Sequence, residues 1–398
     1  MNFRDAVAPA RPGRRGRAAL IVSIATVGIV AFGGLPASAA SSSTAKARVQ
    51  VSAASNFNCA VTLAKTVQCW GSDAGGEEAV PSGRYSYVSA GFGGYACAIT
   101  VSKTLKCWGG GPDGLPTGIL DPPAGKFIAL SSGEQFACAI ATSKAVTCWG
   151  NNPDVVGMQP AGAFTAVAAG ATFACAIDTG GKLECWGDPD APLSPPAGTF
   201  TAVTASPGVQ GGRLFGCAIT ANGRVSCWGP GAGNILRPPA EAFSSISASP
   251  LDVCGLSGQR VICWGNSAQG ILNPQAGKYT GVSTGLEYAC AVTTANLVHC
   301  WGQPGFGDLG ARPATPAPVP SAHATQGEAY AAAFHSSAGS PAGTFRVSSG
   351  TLPPGLKLSG RGALSGTPTT AGTFTFTVTV SNLIGSKHRQ FTITVASA

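Results

Sequence analysis

Histidine is scarce in this sequence, which restricts the chemistry that the chain can perform. The chain has four histidines among its 398 residues: His299, His323, His335 and His388. A hydrolytic triad needs a histidine as its base, and zinc sites use histidine or short Cys-x-x-Cys pairs. His299 adjoins Cys300 on a predicted strand, which favours a structural role, and no Cys-x-x-Cys-His sequence occurs for haem attachment. We therefore expect no bound metal and no cofactor.

Charged residues are also few, at 11% of the chain. Residues 1–39 contain five arginines and one aspartate, so without them the formal net charge falls from +8 to +4. The remainder has no run of lysine or arginine. Nucleic-acid binding proteins concentrate basic residues in a patch or stripe. The sequence therefore argues against nucleic acid as a partner.

The N-terminus has the parts of a secretory signal peptide, which we assign to residues 1–39. Arginines precede an apolar run at 18–32, and Ala-Ser-Ala follows at 37–39. A retained membrane anchor is the alternative, but the apolar run is short for a span. The pair Arg14-Arg15 also suits twin-arginine export, although paired cysteines favour the general secretory route, because they oxidise after export. We expect a secreted, extracellular protein with no membrane association after cleavage.

One sequence unit recurs seven times, with a period of 36 to 42 residues. Residues 173–187, FACAIDTGGKLECWG, show its parts: an aromatic residue, a cysteine, an apolar run, a glycine-rich turn and Cys-Trp-Gly. Every tryptophan follows the second cysteine of a unit: Trp70, Trp108, Trp149, Trp186, Trp228, Trp264 and Trp301. A repeat of this length, with several short strand-like runs, predicts an all-β propeller of seven blades.

The cysteines predict one disulfide in each unit. An even number at regular spacing in an exported chain indicates a disulfide framework. Thr-Gly-Gly between Cys175 and Cys185 predicts a hairpin turn that places the two cysteines opposite each other, at a separation a disulfide accepts. In the sixth unit, Gly258-Gln259 fits a two-residue turn. The predicted pairs are Cys59 with Cys69, Cys97 with Cys107, Cys138 with Cys148, Cys175 with Cys185, Cys217 with Cys227, Cys254 with Cys263, and Cys290 with Cys300.

Each unit contains four short runs, which predict four strands, a to d, in every blade. In the fourth unit these are residues 164–169, the Cys-Ala-Ile run, the Leu-Glu-Cys-Trp-Gly run and a run that ends in Pro-Pro-Ala-Gly. Alternation along the strands directs Cys175 and Ile177 to one neighbouring blade, and Ala176 and Trp186 to the other.

Strings such as VSAGFGGYACAITVSKTLKCWGGG resemble the repeats of the regulator of chromosome condensation family, which forms seven-bladed propellers. The resemblance covers residues 48–310. The family's Gly-Gln-Leu-Gly ending appears only loosely, as Gly-Asp-Leu-Gly at 307–310. Elsewhere the units end in Pro-Pro-Ala-Gly or a variant of it, which is closer to secreted bacterial members, including a β-lactamase inhibitory propeller protein. We do not carry over the nucleotide-exchange and chromatin roles of nuclear members, because this chain is expected to be exported.

A proline-rich linker at 311–320 precedes a smaller module at 321–398. The strings LPPGL and SGTP resemble the immunoglobulin-like modules of bacterial exported proteins. Residues 373–380 alternate threonine with phenylalanine and valine, which predicts a half-buried strand of a β-sandwich.

Catalysis by carboxylates is the remaining enzymatic alternative. A glycosidase needs two carboxylates about 5 to 9.5 Å apart. Glu134 and Glu287 occupy equivalent places in the third and seventh blades, where we expect them to be too far apart for such a pair. Asp252 and Glu287 lie on adjacent blades and are the closer candidates. We expect no enzyme activity.

Alternating strand direction divides the loops between two faces of the propeller. We call the face with the a-to-b loops the acidic face and the face with the Cys-to-Cys hairpins the basic face. On the acidic face we expect Asp73, Glu77, Glu78, Asp113, Glu134, Asp154, Asp188, Asp190, Asp252, Glu287 and Asp308, against Arg213 and Arg237. On the basic face we expect Lys65, Arg84, Lys103, Lys126, Lys144, Lys182, Arg224, Arg260 and Lys278, against Asp178 and Glu241.

Aromatic residues begin strand b at the acidic face: Phe57, Tyr95, Phe136, Phe173, Phe215 and Tyr288. They share the side of a cysteine, which favours packing, but exposed rims would supply binding anchors. We predict a monomeric, non-catalytic protein-interaction propeller that binds an extracellular protein or cell-surface ligand through these aromatics and Glu77, Glu78, Glu134, Asp188, Asp190, Asp252 and Glu287. The alternatives are an inhibitor of a secreted or periplasmic enzyme such as a β-lactamase, and a carbohydrate-active or other enzyme that works at the mouth of the propeller.

Overall fold

The computed structural model describes residues 48–110, 118–208, 214–230, 233–267, 270–303, 310, 315–317, 322–336 and 341–398. The predicted signal peptide, most of the predicted linker, and Asp113, Arg213 and Asp308 lie outside these residues. Within them the chain folds into β-strands and one short 3₁₀ helix, Gly233–Leu236. The predicted all-β class is confirmed.

Seven three-stranded antiparallel sheets follow one another, one for each sequence repeat, and we call them blades 1 to 7. Their strands are β1 Gln50–Ala53, β2 Phe57–Val61 and β3 Val67–Gly71; β4 Tyr85–Gly91, β5 Tyr95–Thr100 and β6 Leu105–Gly109; β7 Phe127–Ser132, β8 Phe136–Ala141 and β9 Val146–Gly150; β10 Phe164–Ala169, β11 Phe173–Asp178 and β12 Leu183–Gly187; β13 Phe200–Ala205, β14 Gly216–Thr220 and β15 Val225–Trp228; β16 Ser245–Ala248, β17 Asp252–Ser257 and β18 Arg260–Gly265; β19 Tyr279–Thr284, β20 Tyr288–Thr293 and β21 Val298–Gly302.

The prediction of a fourth strand in each blade was wrong for the described residues. The run expected to form strand d in the fourth unit, which ends at Gly198, consists of turns and irregular backbone. Pro195 and Pro196 have no N–H to donate, so this run is a poor partner for an outer strand.

The seven predicted disulfides are confirmed, and none of the 14 cysteines is free. Cys175 lies directly opposite Cys185 in the pairing of β11 with β12, and their Cα atoms are 4.0 Å apart. Blade 6 has the predicted two-residue turn, because Ser257 pairs with Arg260. Each disulfide therefore joins the middle and outer strands of one blade.

Neighbouring blades pack through the two sides of each sheet as predicted. Cys175 and Ile177 belong to an apolar cluster with Phe200 of blade 5, whereas Ala176 and Trp186 pack with blade 3. The indole Nε1 of Trp186 donates to the backbone oxygen of Val155, 3.3 Å away. Six of the seven tryptophans make this bond to the segment that follows the preceding blade: Trp108, Trp149, Trp186, Trp228, Trp264 and Trp301.

Hairpin turns also join adjacent blades. Lys65 occupies the left-handed region at φ 64°, and its backbone oxygen accepts a hydrogen bond from Tyr85 N at the start of blade 2. Gly181 has φ 87° and accepts the equivalent bond from Phe200 N. Glycine adopts this conformation without the steric strain that a Cβ atom brings.

The C-terminal module consists of two sheets. One contains β22 His323–Thr325, β28 Ser386–Ala396, β27 Gly372–Ser381 and β24 Thr344–Gly350 in that order. The other contains β23 Tyr330–Ala333, β26 Ala363–Gly366 and β25 Leu356–Leu358. Phe376, Val378 and Val380 are buried between them, which confirms the predicted half-buried strand and the immunoglobulin-like sandwich.

Candidate functional site: the acidic face and the central channel

Hydrogen bonds at the ends of the strands define the two predicted faces. On the acidic face, Asp188 N, just beyond outer strand β12, donates to Thr172 O in the loop between β10 and β11. On the basic face, Thr179 N in the hairpin donates to Ala163 O at the start of the same blade. The inner and outer strands thus end at the face where the middle strand begins.

Most of the predicted acidic residues on the described part of the acidic face are accessible. Glu78, Asp154 and Asp190 are exposed, and Asp73 is exposed while its carboxylate accepts a bond from Glu78 N. Asp188, Glu134 and Glu287 are half-buried. Burial raises the pKa of the Glu134 carboxyl.

Two predicted contact residues are buried instead, Glu77 and Asp252. Glu77 is 3% exposed; its Oε2 accepts a bond from Gly75 N and its backbone oxygen accepts the indole N–H of Trp108. Asp252 is fully buried. In this arrangement both side chains organise the protein interior, and we correct their assignment as surface contacts.

The six predicted aromatic anchors are buried, each with no exposed surface. Tyr95 Oη donates to the backbone oxygen of Phe136 in the next blade, 2.6 Å away. Tyr288 Oη donates to the backbone oxygen of Phe57, 2.9 Å away, and burial raises the pKa of both tyrosines. The packing that their position beside a cysteine favoured is observed, because residues two positions before a cysteine lie between blades. We therefore correct their assignment as partner contacts.

Asp252 occupies the position that holds an aromatic ring in the other six blades. Its Oδ1 accepts a hydrogen bond from Ser267 N at 2.9 Å, whereas Oδ2 has no partner among the described residues. Burial raises the pKa of Asp252 to about 6, and the charge of Glu287 acts in the same direction, while backbone N–H groups lower it. Blade 6 therefore carries a buried carboxyl at its boundary with blade 7.

The inner strands of all seven blades line a central channel. Phe92 and Pro207 line it together with small residues of the inner strands, and Leu251 is exposed on the same acidic face. The recurring aromatic positions did not predict that Phe92, Pro207 and Leu251 would lie at this face, because these residues occupy loops that differ from unit to unit.

A belt of hydroxyl groups surrounds the channel, and sequence reasoning missed it. In six blades the residue opposite the first cysteine is serine or threonine, and its oxygen accepts a backbone N–H from the next blade. The pairs are Ser52 with Ala90, Ser89 with Ser132, Ser131 with Ala169, Thr204 with Ala248, Ser247 with Thr284, and Ser283 with Ala53, at 2.9 to 3.1 Å. Blade 4 has Ala168 at this position. The recurring Val-Ser-Ala string on the inner strand was the available signal.

His299 lies beside Tyr279 in an edge-to-face arrangement, with ring centroids 6.1 Å apart. Within the described residues, no three His, Cys, Asp or Glu side chains are grouped to hold a metal ion. Among those same residues, no helix has the length and hydropathy of a membrane span. What the acidic face offers chemically is a set of exposed carboxylates around a channel lined by small polar and apolar side chains.

Comparisons with known proteins agree with this architecture. The family described as "Putative Ig domain" matches residues 312–396. No curated protein sequence matches the chain. The ectodomain of the Physcomitrella patens receptor kinase CR4 is 25% identical with a TM-score of 0.55, over 64% of this chain and 73% of that one.

Two further structures resemble the propeller. The ectodomain of the Arabidopsis thaliana receptor kinase ACR4 is 22% identical with a TM-score of 0.52, over 64% of this chain and 97% of that one. Yeast RCC1 (Prp20) is 13% identical with a TM-score of 0.40, over 65% of this chain and 73% of that one, which is too remote to support an argument. The similarity to ACR4 concerns the fold alone.

Proposed function

We propose that this chain is an extracellular, non-catalytic propeller that binds a basic protein partner through its acidic face. The observation that carries the proposal is the separation of charge. Glu78, Asp154 and Asp190 are exposed on one face, while Arg84, Arg260 and Lys278 are exposed on the other. An acidic surface attracts a basic partner and increases its association rate.

The extracellular setting is supported by the seven disulfides, because such bonds persist in oxidising compartments. The likeness to a receptor-kinase ectodomain fits this setting and a role in protein interaction. The predicted signal peptide gives the export route.

The non-catalytic part of the proposal is supported by the position of the carboxyl pair considered for glycoside hydrolysis. Asp252 has no exposed surface, so a sugar would not reach its carboxyl without a rearrangement of blade 6. His299 packs edge-to-face against Tyr279, which fits a structural role.

The test begins with affinity capture from culture supernatant on the immobilised full-length chain. Association of the captured protein is then measured with a variant that carries Glu78→Lys, Asp154→Lys and Asp190→Lys. We omit Glu77 because it is buried. Since the exposed carboxylates attract the partner, the variant should associate more slowly, and the difference should shrink as salt is raised.

The matched control carries Arg84→Glu, Arg260→Glu and Lys278→Glu on the basic face, three exposed residues that are reversed in the same way. Unchanged binding in the first variant with loss in the control would place the site on the basic face. Titration of the wild-type protein against secreted hydrolases, including β-lactamases, distinguishes a binding protein from an enzyme inhibitor.

A further inference from the structure

The ring closes between blades 7 and 1 without an exchange of strands. Blade 1 uses β1, β2 and β3, and blade 7 uses β19, β20 and β21, each a continuous part of the chain. Side-chain bonds join them: Ala53 N donates to Ser283 Oγ at 3.0 Å, and Val49 N donates to Asn296 Oδ1 at 3.2 Å. We call this boundary the closing seam.

The C-terminal module presents a rigid turn between β27 and β28. Asn382 Oδ1 accepts hydrogen bonds from Ile384 N at 2.9 Å and Gly385 N at 3.0 Å. Asn382 N donates to Gly385 O at 2.9 Å, and Asn382 Nδ2 donates to Pro341 O at 2.8 Å. These bonds fix the backbone that carries Leu383 and Ile384.

This turn contacts the closing seam. Val298 N, at the start of outer strand β21 of blade 7, donates to Leu383 O at 2.7 Å. Leu383 and Ile384 pack against an apolar cluster that contains Val49 and Trp70 of blade 1 as well as Val298 of blade 7. Among the apolar clusters of the described residues that join two blades, this one alone includes side chains of the module.

We infer that the C-terminal module acts as a clasp that holds the ring of blades closed. The covalent chain passes from each blade to the next at six boundaries, but no connection of that kind joins blade 7 to blade 1. The turn at Leu383-Ile384 contributes a backbone hydrogen bond and apolar contact at this boundary. The inference does not depend on the proposed binding partner.

Hydrogen exchange of the full-length chain tests the clasp. Leu383→Asp combined with Ile384→Asp places two charges against the apolar cluster, so the amides of β2 and β20 should exchange at least about tenfold faster. The amides of β8 and β11, in blades 3 and 4, should change much less. Strands β27 and β28 should stay protected.

The control variant, Thr370→Asp with Ala371→Asp, adds the same two charges to an exposed turn of the same module. It should leave exchange at the closing seam unchanged. If the Leu383→Asp, Ile384→Asp variant also loses protection in β27 and β28, the module itself has unfolded, and the test is repeated with Leu383→Ser and Ile384→Ser. If β2 and β20 of the variant exchange at the wild-type rate while the module stays folded, the inference is overturned.

Discussion

The closing seam and the boundary between blades 4 and 5 join equivalent surfaces with different bonds. At the closing seam Ser283 supplies a hydroxyl acceptor, Tyr288 bonds across the boundary, and the C-terminal turn packs on the outside. At the boundary of blades 4 and 5, Ala168 replaces the belt hydroxyl and Phe173 has no hydroxyl to donate. At these two positions the boundary without a chain connection thus has polar bonds that the boundary of blades 4 and 5 lacks.

This difference shows that the residues shared by all repeats determine the blades, whereas single varying residues determine the bonds between them. The second cysteine, the tryptophan after it and the glycine that follows recur in all seven units and build every blade in the same way. The residue opposite the first cysteine varies between serine, threonine and alanine, and it decides whether two blades share a hydrogen bond. The stability of the ring is therefore set boundary by boundary, as in other repeat proteins.

Reduction of the disulfides should have the largest effect, because it weakens all seven blades themselves rather than a single boundary between them. Each bond closes a short loop and is worth nominally about 2 to 3 kcal/mol, although seven such contributions do not simply add. We expect Tm to fall by more than about 10 °C in calorimetry with reductant. An unchanged Tm with all thiols reduced would show that apolar packing alone maintains the blades.

Asp252 adds a third boundary to the comparison, between blades 6 and 7. Its folded pKa of about 6 lies above the unfolded value near 3.8, so the native state gains stability from this group below about pH 4 and loses it as pH rises through 6. Asp252→Asn, which keeps an oxygen acceptor for Ser267 N, should stabilise the protein by about 2 to 3 kcal/mol at pH 8.

The same substitution should have little effect at pH 4, where the wild-type carboxyl is protonated. Denaturant unfolding at the two pH values measures the difference. Equal effects at both would contradict a raised pKa. Asp190→Asn, at an exposed carboxyl, is the control and should give small effects at both pH values.

Ser283→Ala makes the closing seam resemble the boundary of blades 4 and 5. It removes the acceptor of Ala53 N in a buried setting, so we expect a loss of about 1 to 3 kcal/mol in unfolding free energy. Ser143→Ala, in an exposed hairpin turn, is the control. A loss no greater than that of the control would mean that water replaces the hydroxyl.

Ala168→Ser is the reverse change and should have the smallest effect. The new hydroxyl would face Ala205 N, the counterpart of the amides bonded at the other six boundaries. We expect a gain of about 0.5 to 1.5 kcal/mol in the same unfolding assay. Destabilisation would indicate that blades 4 and 5 are too close for the hydroxyl.

The sequence was sufficient to predict the blades, since each requires only local information. Cys175, Cys185 and the turn between them determine a hairpin and its register. The fourth strand was mispredicted because a run that ends in proline and glycine looks like the end of a strand, while Pro195 and Pro196 have no N–H to donate to a neighbouring strand. The shared side of Cys175 favoured burial of Phe173, but the neighbouring residues it packs against belong to the next blade, which no single repeat specifies.

The contacts between distant parts of the chain could not be predicted from the sequence for the same reason. Ser283 and Ala53 are separated by 230 residues, and serine in a short alternating strand is equally consistent with a solvent-facing position. Leu383 and Ile384 form part of a turn, where a hydrophobic pair gives no indication of its partner. Asp252 stands where the other six units have an aromatic residue, and this exception was visible in the sequence as a sign of a buried carboxyl.

Residue-resolved hydrogen exchange of the seven equivalent inner-strand amides tests the difference between boundaries most directly. The full-length protein is compared under native conditions at Ala53, Ala90, Ser132, Ala169, Ala205, Ala248 and Thr284. Ala205, whose boundary lacks the hydroxyl acceptor, should exchange fastest, and Ala53 should be at least as protected as the other bonded amides. Equal protection at Ala205, or fastest exchange at Ala53, would contradict the account.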